Sequence, residues 1–145
     1  MSSYTVTIKD THEHNGESFT AEFTSACEYI KDGENFTVTY TEKGGELDGS
    51  VVSIRAKGEG TVEITRFGEF NTRLIVERGR RHICLYNTPF GEISMGVYAE
   101  EVYSQINAGG VSMKLRYTLD CNSGLISTNT MKITVKEAVD NVTAC

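Results

Sequence analysis

The chain has 145 residues, of which 39% are hydrophobic and 23% charged, with one proline and a formal net charge of −6. That length suits a single domain over 1–145 with a real core, and the composition excludes a disordered chain. The acidic balance argues against a nucleic-acid partner, and no apolar run is long enough to span a bilayer.

The opening MSSYTVTIKD carries neither the basic nor the apolar segment of a secretory signal, so the expected compartment is the cytoplasm. Tyr4, Val6 and Ile8 alternate with polar residues, the mark of a strand with one face toward a core. His12-Glu13-His14 would put two imidazoles on one strand face with Asp10. The turn signal Asn15-Gly16 follows at once, so they sit at a hairpin tip, where two nitrogens and no third fixed ligand make a poor metal site. No metal or cofactor is expected.

Alternation resumes at Phe19, Ala21 and Phe23, and its phase slips within FTSACEYI at 23–30, which predicts a bulge. Phe36, Val38 and Tyr40 follow, then the glycine pairs at 44–45 and 48–49, then Val52, Ile54 and Ala56, then Val62 and Ile64. From Arg55 to Arg81 there are seven Lys or Arg against four Glu, half of all the cations in the chain. A mixed, solvated face accounts for most such runs. Arg66 differs from the rest, because it continues the phase of Val62 and Ile64 onto the apolar face. A buried guanidinium needs a partner, either a protein carboxylate or a bound anion. Arg73 is a second, weaker candidate.

Residues 80–91 read RRHICLYNTPFG. Thr88-Pro89-Phe90-Gly91 fits a β-turn, with proline pre-setting φ and glycine free to take positive φ. Which face of the preceding strand points inward is open. If Tyr86 does, then so do Cys84 and His82. Along 92–106 the apolar phase moves from odd positions, through Ala99, to even ones, Val102 and Ile106, so a bulge is expected near Glu100-Glu101. AEEVYSQI at 99–106 is the best helix candidate and an ambiguous one. Val111 to Leu119 and Met131 to Val135 are the last two strands.

Cysteines at 27, 84, 121 and 145 form no C-x-x-C pair and read as reduced thiols, mostly small apolar fillers. The sequons at Asn35 and Asn141 carry little meaning in a cytoplasmic chain. Short turns join strand to strand throughout, with no connection long enough for a parallel crossover. The fold class is therefore all-β: an antiparallel up-and-down β-barrel of about eight to ten strands, closed to remove its edges.

Three stretches, GTVEITRFGEFNTRL, RHICLYNTPFGEISMGV and GGVSMKLRYTLD, together resemble the YwiB-like family of small bacterial proteins. The clearest pieces are I-x-R-x-G at Ile64–Gly68 and Y-x-T-P-F-G at Tyr86–Gly91. The resemblance spans about Tyr4 to Val135 and implies a calycin-type, lipocalin-like barrel. It implies no activity, since the family is a domain of unknown function, and it supplies no catalytic residues.

A barrel of this size either fills its interior or holds one small ligand. The expected role is binding of a small amphipathic or anionic ligand, with Arg66, Arg73, His82, Tyr86 and Tyr117 as polar anchors. One alternative is a filled barrel acting through its surface or as a homodimer. The other is an enzyme on a small anionic substrate, for which no catalytic motif is present. Cys84 beside His82 is a possible nucleophile pair, and a packed thiol explains the same residues.

Overall fold

A computed structural model describes residues 3–45, 47–121 and 124–138. Ten strands follow one another: β1 (Tyr4–His14), β2 (Glu17–Asp32), β3 (Asn35–Thr41), β4 (Val51–Ala56), β5 (Thr61–Phe67), β6 (Thr72–Glu77), β7 (Arg81–Thr88), β8 (Gly91–Asn107), β9 (Gly110–Cys121) and β10 (Gly124–Glu137). Each pairs antiparallel with the next, and β1 pairs with β10 to close the barrel. The expected all-β up-and-down barrel is the fold observed. The segment 99–106 is strand, not helix.

Directly opposed residues on antiparallel strands share a face. Val6, Val135 and Val111 therefore form one inward row, and Ile8, Ile133 and Met113 the next. These residues, with Phe36, Val38, Ile54, Val62, Val76, Val97 and Leu115, are buried in one continuous core. Most of the barrel is thus filled by side chains.

The hairpin turns behave as their residues dictate. Asn15 and Gly16 both take positive φ, 50° and 78°. This is the left-handed pair that matches strand twist in a two-residue hairpin. Pro89 and Phe90 make the turn between Thr88 and Gly91, and Gly91 has φ 114°.

The bulge expected near Glu100 is present. Ala99 opposes Tyr117 and Glu101 opposes Arg116, so Glu100 is the extra residue. A second irregularity, between Leu125 and Ser127, had no signal in the sequence. The bulge expected within 23–30 is absent, because β2 keeps its odd residues inward through Tyr29. It changes neighbour instead, pairing with β1 through Cys27 and with β3 from Glu28 onward. Ile30 is left on the outer face, 65% exposed.

This change of neighbour also corrects the expected core. Phe19, Ala21 and Phe23 have the inward phase, yet β3 ends at Thr41 while β2 runs on beside β1 to Glu17. Phe19 and Phe23 are therefore 62% and 43% exposed. On β7, His82, Cys84 and Tyr86 point inward, while Ile83 and Leu85 are exposed.

Candidate functional site

Where β2 and β3 part, the barrel is open. A cavity of about 580 Å³ lies there. Ile8, Phe23 and Met131 supply an apolar lining, and Asp10, Tyr40 and Arg66 a polar one. A groove of about 440 Å³ adjoins it along Cys27–Glu28 and Thr39–Thr41.

Arg66 reaches this cavity because β5 keeps strict alternation behind Val62 and Ile64. Its partner is a protein carboxylate. Nε donates to Glu42 Oε1 at 2.8 Å, and the terminal nitrogen lies 2.7 Å from the same oxygen. Glu42 is placed by the loop that follows β3, where its amide bonds the Ser50 carbonyl and its carbonyl accepts from Gly49. The pair is electrically neutral, which weakens the pull of the guanidinium on a free anion while leaving N–H donors of Arg66 that Glu42 does not take.

Two phenols, Tyr40 and Tyr86, are near this pair, and Tyr117 is near Tyr86. Burial is the main cause that pushes the Tyr40 hydroxyl well above its ordinary range. Glu42 and Asp10 add to the shift and Arg66 opposes it. Tyr86 is pushed up to about 12 by burial, with Cys84 adding and Arg66 opposing. Tyr117, the most enclosed, is raised by burial and then by Asp10 and Tyr86. All three stay neutral across the physiological range, able to donate or accept hydrogen bonds. Of the expected anchors, Arg66 lines the cavity with Asp10, Tyr40 and Glu42, while Tyr86 and Tyr117 lie behind it and are not part of its lining.

Asp10 has the least settled environment. Burial raises its carboxyl above the ordinary range, and His12 partly offsets this. Oδ2 lies 3.2 Å from His12 Nε2, while Oδ1 is buried without a partner. His12 Nδ1 bonds the Asn129 side-chain oxygen, and the Asn129 amide donates to Ser127 Oγ at 3.0 Å. Asn129 is fully buried. The Asp10 carboxyl and the Asn129 side chain thus stand at the two ring nitrogens of His12.

The remaining candidates lie elsewhere. Arg73 is on the outer face, bonding Glu63 at 3.0 Å, with Lys57 at 3.2 Å from the same oxygen. His82 points inward but pairs with Glu77 at 2.8 Å, toward the other end of β7 from Tyr86. Cys84 Sγ accepts the Ile75 amide, and burial pushes its thiol up, away from a reactive thiolate. His14 bonds the Ile126 carbonyl. Among the described residues no three His, Cys, Asp or Glu side chains are grouped to hold a metal ion. Cys145 and Asn141 lie outside the described residues.

Asp10, Tyr40 and Asn129 were missed as site residues although each stands in phase with its strand's core positions. A polar group at an apolar phase was the available signal. Glu42 had none, since a loop residue has no period.

The outer pair makes a test of its own. The hydrogen bond from Arg73 is the main cause holding the Glu63 carboxyl below its ordinary range. Burial opposes it and Lys57 adds to it. A lowered carboxylate stabilises the fold fully above its unfolded value and loses that contribution as pH falls through the folded one. Asp10 acts in the opposite sense, since acid relieves its burial. Glu63→Gln should therefore flatten the loss of stability between about pH 5 and pH 3, read from urea midpoints. An unchanged acid slope would show that Glu63 gains nothing from its partners.

A family model described as a domain of unknown function, DUF1934, matches residues 6–133. Among solved structures, the crystal structure of the ywiB protein from Bacillus subtilis superposes with a TM-score of 0.83 at 19% identity. The match covers 95% of this chain and 93% of that one. At that identity the likeness shows the shared barrel. No curated protein matches the sequence.

Proposed function

We propose that this chain, which belongs to the DUF1934 family of domains of unknown function, binds a small amphipathic molecule in the cavity between β2 and β3. The volume, about 580 Å³, is that of ordinary small-ligand sites. The observation that carries the reading is Asp10. Its Oδ1 is buried without a protein partner on the polar side of a lining that is part apolar and part polar. An unpaired buried polar atom is costly, and a ligand hydroxyl or amine would relieve it.

The apolar body of the ligand would lie against Ile8, Phe23 and Met131. Its polar head would meet Asp10, the Tyr40 hydroxyl and the Arg66–Glu42 pair. The pairing of Arg66 with Glu42 favours a hydrogen-bonding head over a free anion.

Native mass spectrometry of gently purified protein tests this. An added mass is expected on the folded chain, absent after denaturation and absent from Met131→Trp, whose indole would fill the cavity. A bare mass, together with no thermal shift across a panel of fatty acids, sterols and amphipathic amines, would overturn the proposal.

A further inference from the structure

β2 is bonded along Glu17–Cys27 on one side only. Its neighbour there is β1. Among the described residues no strand takes the other side until β3 joins at Glu28. A free edge of this length presents a row of unpaired amides and carbonyls to any second strand. Proteins usually guard such edges with lysine, proline or a bulge. Glu17–Ala26, ESFTAEFTSA, has none of these, and its only charges are Glu17 and Glu22.

We infer that two copies of this chain pair edge to edge through β2, antiparallel, about a two-fold axis at Ala21.

The hydrogen-bonding phase allows it. His14 and Glu17 flank a two-residue turn as a bonded pair. The odd residues of β2 therefore direct their backbone groups at β1. The even residues Ser18, Thr20, Glu22 and Thr24 direct theirs outward. The same parity continues where β3 joins, since Asp32 and Asn35 flank the next two-residue turn.

The register follows from chemistry. A two-fold axis normal to the sheet keeps inward residues opposite inward ones, so the axis must pass through a residue. At Ala21 it sets Phe19 of each copy opposite Phe23 of the other, Thr20 opposite Glu22, and Ser18 opposite Thr24. No like charges meet. An axis at Glu22 would place that carboxylate opposite itself, and one at Thr20 would set Phe23 against Glu17. Only the Ala21 register pairs the two phenylalanines of this edge, Phe19 with Phe23, in the non-bonded pair geometry where side chains come closest. Phe23 already packs on Tyr40, ring centroids 5.5 Å apart. Phe19 of the second copy would extend this aromatic row along the rim of the cavity. The occupant is thus a second copy, because the edge can pair with itself with its outward amides and carbonyls in bonding phase, its phenylalanines opposed and no carboxylate facing another.

Sedimentation of the full chain at high micromolar concentration should give a dimer. Glu22→Pro removes an outward amide that β1 does not use, so it should yield a folded monomer. Phe19→Glu, at a site that is 62% exposed, should do the same without touching the backbone. Mild oxidation of Ala21→Cys should give a disulfide-linked dimer beyond the level of wild type, while Ser18→Cys, which faces Thr24 in this register, should not. A wild-type monomer would overturn the inference. So would a dimer that survives both monomerising variants and fails to cross-link at 21.

Discussion

Gly110→Ala should destabilise the fold by about 3 kcal/mol, among the largest effects a single methyl can have here. Gly110 begins β9, between Asn107 of β8 and Lys136 of β10. Its φ is 153°, outside the range that side-chain-bearing residues favour. A Cβ there would lie 1.8 Å from the Val135 carbonyl oxygen. That oxygen belongs to backbone in a closed barrel, so it has no rotamer by which to move aside. The strand pair must shift, or β9 must give up its first bonds. Chemical denaturation measures this directly, and a midpoint within error of wild type would show that the β9–β10 seam yields freely. By contrast, the atoms nearest to a Cβ at Gly96 all belong to the Arg81 guanidinium, which crosses the glycine to reach Asp120 at 3.0 Å. A flexible side chain can swing away.

Phe36→Ala should cost about 3–5 kcal/mol, while Phe23→Ala should cost far less. The residue type is the same and the surroundings differ. Phe36 is among the largest fully buried side chains, tilted against Tyr29 with ring centroids 6.0 Å apart. Its removal leaves a void walled by side chains that are already packed. Phe23 is 43% exposed and lines the cavity, so its removal enlarges a space that is already open. Phe23→Ala should instead reduce retention of a bound mass, because the ligand loses its aromatic wall. Thermal unfolding and native mass spectrometry of both variants separate the two roles. Equal destabilisation by the two changes would mean that the region between β2 and β3 is more closed than its geometry indicates.

The bulge at Glu100 shows how much of this architecture is written locally. Side chains alternate with period two, so a change of apolar phase between Ala99 and Val102 admits one extra residue and little else. The slip at 23–30 has the same local look and a different cause. There β2 exchanges β1 for β3 without a bulge, and Ile30 is left outside. A single strand's sequence records which residues are apolar. It does not record which neighbour leaves them covered.

The candidate site divides the same way. Arg66 was legible because a guanidinium in phase with Val62 and Ile64 demands a partner. That the partner is Glu42 was not, because a loop carboxylate carries no periodic signal. Asp10 stands in phase with Val6 and Ile8, and Asn129 with Met131 and Ile133. Strand alternation marks both as inward, but only the closure of β1 on β10 joins them through His12. Arg73 and His82 have chemistry suited to a ligand site, and their strands carry them to Glu63 and Glu77 instead.

By itself the sequence determined the all-β class, the up-and-down order, the hairpin turns and the inward phase of Arg66. Each of these depends on neighbours within a few residues, through steric preference at turns and side-chain alternation along strands. Only the tertiary structure decided which face of 80–88 points inward, where β2 loses its neighbour and opens a cavity, and which carboxylate satisfies Arg66. Those depend on strand length and register around a closed barrel. They join residues far apart in the chain that no local pattern links.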